Sequence, residues 1–93
     1  MKRRLKIGET LHEFLRRLPP SIKKKVAEGL DEISGDPHSG KVLIEELEGY
    51  RSYRAGTFRI IYREQGSLIE IRAVGPRKTI YQALALELAS KKP

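Results

Sequence analysis

The residues best suited to chemistry in this chain are arginines and one tyrosine. Between residues 50 and 81 stand seven bases (Arg51, Arg54, Arg59, Arg63, Arg72, Arg77 and Lys78) against two acids, Glu64 and Glu70. Guanidinium is planar, permanently charged and forked, so several of them converging on one sheet face suit bidentate binding of phosphate. The alternative is a set of separate arginines, each neutralised by an acid such as Glu64 or Glu70. Tyr81 lies four residues beyond Arg77, a spacing that puts both on one face if a helix begins there. A phenol beside guanidinium groups parts with its proton more readily than a free one, which would suit it to proton transfer. Equally, Tyr81 could be an ordinary packed tyrosine at a helix start.

Charge over the whole chain points the same way. The net charge is +7, and residues 1–25 carry all of it, with nine bases and two acids. Compensating acids fall in residues 26–36 and 41–49. Two separate basic stretches favour a polyanionic partner, nucleic acid first, through phosphate neutralisation and counterion release. Charge for solubility alone is the plainer reading.

Other chemistries find little support. The absence of cysteine excludes disulfide scaffolds, thiolate metal sites and cysteine nucleophiles. His12 and His38 stand apart without ligand spacing, so no metal and no cofactor is expected. The serines lack the glycines of a nucleophile elbow, and Gly75-Pro76-Arg77-Lys78 is too short for a phosphate loop. The aromatic boxes of ribonucleoprotein sheets are missing. Apolar runs are only a few residues long, and the basic start Met1-Lys2-Arg3-Arg4 lacks a signal-peptide stretch after it. A single domain over residues 1–93, cytoplasmic and without membrane contact, is expected.

The elements that must position these side chains follow from periodicity. Residues 3–7 alternate like a short strand. Leu11, Phe14, Leu15 and Leu18 form one helical stripe, starting at Gly8 or Thr10 and stopped by Pro19-Pro20. Ile22, Val26, Leu30 and Ile33 predict a second helix over about 21–34, ended by Gly35-Asp36-Pro37, so the two make a helix hairpin. Val42-Leu43-Ile44 suggests an irregular strand. Tyr50–Ala55, Thr57–Glu64 and Ser67–Val74 read as a meander with turns at Gly56 and Gln65-Gly66. A Gln65-Gly66 loop pairs Tyr62 with Ile69, Ile60 with Ile71 and Phe58 with Ala73, all on one apolar face. On the other face it pairs Arg63 with Leu68, Ile61 with Glu70, and Arg59 with Arg72. The last is a like-charged pair costing a few tenths to about one kcal/mol unless it is solvated or bridged by an anion. A last helix over about 78–90 is apolar almost all round, which predicts either a second buried face or a docking surface. The expected fold is α+β: a small antiparallel sheet with the helix hairpin on one face and a short C-terminal helix.

Tyr53-Arg54-x-Gly56-x-Phe58-Arg59-Ile60-Ile61-Tyr62, followed by Val74-Gly75-x-Arg77-x-x-x-Tyr81, resembles the RelE/ParE toxin superfamily. Leu18-Pro19 and Asp36-Pro37-His38 fit its helix hairpin, so the likeness covers nearly the whole chain. The resemblance implies a toxin of a type II toxin–antitoxin system. RelE-like members cut mRNA on the ribosome with the RNA 2′-hydroxyl as nucleophile and no metal, whereas ParE-like members poison DNA gyrase. A third reading is a non-enzymatic RNA-binding module of a toxin–antitoxin complex.

Carried over by position, the RelE site implies Arg54, Arg59, Arg77 and Tyr81 as catalytic residues, with Arg51, Arg63, Arg72 and Lys78 as flanking RNA-binding bases. Family enzymes place two lysines one residue apart where Ser52 and Arg54 stand here, and only the second position keeps a base. Arginine, with a pKa above about 12, exchanges protons poorly, so the three arginines suit charge stabilisation at a pentacoordinate phosphate. Tyr81 suits proton transfer or, alternatively, stacking on a base. The implied partners are a cognate antitoxin, forming a hetero-oligomer, together with mRNA and the ribosome.

Overall fold

Paired prolines divide the helical half of the chain. The computed structural model describes residues 2–90. Strand β1 (Arg4–Ile7) leads into helix α1 (Glu9–Arg16), whose N-cap is the extended Gly8. Helix α2 (Pro20–Gly35) begins with Pro20 at its first position, where a missing N–H leaves no hydrogen bond unmade. Both helices therefore match the expected hairpin. A 3₁₀ turn (Pro37–Ser39) leads to the two-residue strand β2 (Lys41–Val42), shorter than the strand anticipated there. A second 3₁₀ turn (Glu45–Leu47) precedes β3 (Arg51–Ala55), β4 (Phe58–Gln65) and β5 (Leu68–Pro76). Helix α3 (Arg77–Ser90) starts at the residue directly after β5.

These strands form one sheet in the order β1-β5-β4-β3-β2. The expected antiparallel meander is present, and β1 adds to its edge in parallel with β5. The helix hairpin covers one face: Val26 and Ile33 pack with Ile60, Tyr62, Ile69, Ile71 and Val74. Helix α3 covers the opposite face, where Ile80 and Leu84 pack with Ile61, Leu47 and Tyr50. The apolar character of α3 is thus used in part for burial, while Leu86 stays 65% exposed.

The hairpin register differs from the expected one. Its two-residue loop is Gly66-Ser67, not Gln65-Gly66, because Gln65 pairs with Leu68. Gly66 then occupies the first loop position with φ 63°, where a type II′ turn places its glycine. Tyr62 consequently lies opposite Ile71, Glu64 opposite Ile69 and Arg63 opposite Glu70. A bulge follows: Ile61 pairs with Ala73, Ile60 with Val74, Arg59 with Gly75 and Phe58 with Pro76, which leaves Arg72 as the extra residue. The bulge turns Ala73 to the α3 side and Val74 to the hairpin side, so Ala73 does not share the face of Phe58. It also removes the expected opposition of Arg59 and Arg72. Arg72 instead donates to Glu87 of α3 at 2.8 Å.

Tyr62 anchors the sheet to the chain entering it. It is fully buried, its hydroxyl donates to the Pro37 carbonyl at 2.7 Å, and it accepts from the Gly40 amide at 2.9 Å. Burial raises its pKa above the ordinary tyrosine value. Tyr62→Phe leaves both backbone groups without this partner and is expected to cost about 1–2 kcal/mol, read as a lowered denaturant midpoint at unchanged m-value. Because the folded-state phenol titrates above the unfolded one, its stabilisation is complete below the unfolded value of about 10 and is lost as pH rises through the folded value. The Phe variant should lack that part of the alkaline loss.

Candidate active site

Alternation along β3 puts Ser52 and Arg54 on the face that α3 covers, and the same parity on β4 puts Arg59 beside Ile61. Arg54 and Arg59 are direct partners across the β3–β4 ladder. The like-charged cross-strand pair that the sequence leads one to expect therefore exists, but Arg54 stands where Arg72 was anticipated. Arg77 opens α3, and its amide donates to the Thr57 carbonyl of the β3–β4 turn at 3.3 Å. Tyr81 follows one helical turn later, and its hydroxyl lies 2.7 Å from Ser52 Oγ.

These residues meet in a groove of about 400 Å³ that Arg54, Arg59, Arg77, Tyr81, Ser52 and Lys41 line, with Leu43, Ile44 and Leu47 as an apolar wall. Every residue assigned to catalysis by position thus lies in one concavity. No carboxylate among the described residues lines it. Among the described residues, neither Arg54, Arg59, Arg77 nor Lys41 forms an ion pair. Arg54 donates to the Gly56 carbonyl at 3.4 Å. The reading of separately neutralised arginines applies elsewhere: Arg63 takes Glu70 at 2.7 Å, and Glu64 is held by Arg3 at 2.5 Å and faces His38 at 3.1 Å.

None of the four flanking bases lines the groove. Lys78 follows Arg77 and lines an adjoining groove with it. Arg51 donates to the Gly40 carbonyl at 3.0 Å, while Arg63 lies over the Tyr50 ring at 5.1 Å; both line a different cleft. Arg72 lies under α3 with Glu87. His12 belongs to α1 and His38 to the first 3₁₀ turn, so the two histidines are not brought together.

Two contributors were not singled out from sequence. Lys41 is the direct partner of Ser52 across the β2–β3 ladder, which puts its side chain on the same face. The signal was parity, but a two-residue strand declares no register. Ser52 stands out only as a departure from the family pattern, yet it is buried and hydrogen-bonded to the phenol. It orients Tyr81 from beneath. A double-mutant cycle of Ser52→Ala and Tyr81→Phe, followed by denaturant unfolding, is expected to give a coupling of roughly 1 kcal/mol. Additive effects would show that the two hydroxyls do not act together.

Comparison with known proteins agrees with this architecture. The family model of the ParE toxin of type II toxin–antitoxin systems matches residues 2–81. Toxin RelG of Mycobacterium tuberculosis is 36% identical over 77 residues, covering 78% of this chain and 88% of RelG. A chain of the M. tuberculosis toxin–antitoxin complex RelBE2 superposes with a TM-score of 0.72 at 32% identity, over 83% of this chain and all of that one. A chain of the archaeal RelE–RelB complex from Pyrococcus horikoshii gives 0.65 at 25% identity, over 85% and 99%. With four-fifths of its length matched in sequence and the same sheet and helices in space, the chain belongs to the RelE/ParE superfamily of type II toxin–antitoxin toxins.

Proposed function

We propose that this chain is a cytoplasmic toxin that arrests translation by cutting mRNA in the ribosome, using the RNA 2′-hydroxyl as nucleophile and no metal ion. The observation that carries this reading is the meeting of Arg54, Arg59 and Arg77, free of ion pairs among the described residues, with Tyr81 in one groove. In the reaction a bond forms between the 2′-oxygen and phosphorus while the bond to the 5′-oxygen breaks, leaving a 2′,3′-cyclic phosphate. Charge grows on the phosphoryl oxygens as the pentacoordinate state forms. The three guanidinium groups stabilise that charge from fixed positions, with no acid beside them to compete.

Proton transfer falls to the remaining groups. Tyr81 is the group that accepts the 2′-hydroxyl proton, and the hydrogen bond between its hydroxyl and Ser52 Oγ, 2.7 Å apart, fixes its position. The Lys41 ammonium, on the same face and in the same groove, supplies a proton to the departing 5′-oxygen. By analogy with the RelE–RelB and RelBE2 complexes, the resting partner is a cognate antitoxin in a hetero-oligomer.

The match to a ParE model favours a second reading, a gyrase poison, which needs no proton-transfer residue. Mapping mRNA 5′ ends in a translating extract separates the two. Ribosome-dependent cuts whose upstream fragments end in a 2′,3′-cyclic phosphate are expected. Tyr81→Phe should slow them by roughly 10²–10⁴-fold, and Arg59→Ala by roughly 10²–10³-fold. Uncut mRNA together with loss of gyrase supercoiling would establish the ParE-like activity instead.

A further inference from the structure

On the far side of the three arginines lies a second, larger groove of about 670 Å³. Its walls are the first turns of α2, the β3–β4 turn and the start of α3. Arg54, Arg59 and Arg77 line both this groove and the one holding Tyr81, so the two adjoin along a shared arginine ridge. Among the described residues, Lys25 and Lys78 bring the cations lining it to five, and no carboxylate lines it. Among the described residues neither lysine forms an ion pair, although Glu28 lies three positions beyond Lys25 on the same helix.

Lys25 reaches the groove by a specific route. Its stem lies across the β3–β4 turn, where a Cβ at Gly56 would come within 2.9 Å of Lys25 Cδ. Gly56 has φ 65°, so the turn favours glycine for its backbone, and the missing side chain leaves the seat for the lysine methylenes. The stem covers the turn while the ammonium remains at the water-filled edge.

We propose that this groove is a phosphodiester-binding subsite for single-stranded RNA, taking the backbone next to the nucleotide whose phosphate lies in the Tyr81 groove. The assignment of that reacting phosphate rests on the function proposed above; the subsite itself rests on the Lys25 groove. A strand crossing the arginine ridge passes from three guanidinium groups to two ammonium groups without meeting a negative side chain. Lysine holds such a phosphate as a point charge, without selecting the base attached to it.

The test uses fluorescence anisotropy with fully 2′-O-methylated RNA, which binds without being cleaved, as a dinucleotide and as a hexanucleotide over a range of KCl concentrations. Lys25→Ala should weaken the hexanucleotide roughly three- to tenfold near 0.1 M salt and reduce its log–log salt slope by about 0.7, the share of one single-strand phosphate contact. It should leave the dinucleotide unchanged, Lys25→Arg should restore the slope, and Lys24→Ala, outside the groove, should have no effect. Hexanucleotide binding unchanged in Lys25→Ala would overturn the proposal, as would an equal loss for an RNA duplex, which would make the groove a contact for structured RNA. A wild-type protein that cuts no mRNA yet binds the hexanucleotide through Lys25 would remove the cleavage reading and leave the subsite standing.

Discussion

Strand β4 is covered on both faces, and this double burial governs where the sheet's charged side chains can go. Ile60 and Tyr62 face the helix hairpin while Ile61 faces α3, and none of the three is exposed to solvent. Burying one such side chain contributes on the order of 1.5–3 kcal/mol, so a slip that exchanged the two faces would expose most of the core at once. With the middle of the strand committed, Arg59 falls at the end of β4 next to the β3–β4 turn, and Arg63 at the end near the hairpin loop. One lies in an acid-free groove, the other against Glu70 and Tyr50.

The bulge at Arg72 extends this logic to β5. An extra residue there lets the strand present Ile69 and Ile71 to the hairpin, then Ala73 to α3, then Val74 to the hairpin again. It also sends Arg72 beneath α3, where Glu87 meets it. Helix α3 begins without any loop after β5, so the strand's direction and the bond from the Arg77 amide to Thr57 set where the first turn of the helix lies. Arg77 and Tyr81 are thereby held over the turn end of the β3–β4 ladder. The position of these side chains is a consequence of sheet geometry rather than of a flexible loop, which suits the charge stabilisation proposed for them.

Electrostatics divides the basic residues into two kinds. Arg3, Arg63 and Arg72 are neutralised by Glu64, Glu70 and Glu87, whose carboxylates lie at the hairpin end of the sheet and along α3. Arg54, Arg59 and Arg77 gather at the opposite end, where no carboxylate among the described residues lines either groove. Direct opposition of Arg54 and Arg59 costs folding free energy that water or an anion must offset. Accepting such a cost at one place, while Arg3, Arg63 and Arg72 are paired with carboxylates, accords with the anionic ligand proposed above.

Much of this was legible before any coordinates. The stripes Leu11–Leu18 and Ile22–Ile33 and the Pro19-Pro20 break located the helix hairpin, and the motif from Tyr53 to Tyr81 identified the superfamily, because periodicity, proline sterics and motif spacing are properties of neighbouring residues. The sequence by itself also picked out the arginines and the tyrosine that the fold brings into one groove. Tertiary structure decided the rest. The Gly66-Ser67 loop and the bulge at Arg72 changed which residues face one another, since a single residue added to a strand inverts its faces and no local pattern marks where it is added. Lys41 entered the groove on a strand of two residues, too short to show a period, and Ser52, on β3, through its hydrogen bond to Tyr81. Lys25 joined the arginines from a helix about thirty residues upstream because a turn glycine left room for its stem. Such contacts depend on how separate elements pack, and the chain order of those elements does not encode that distance.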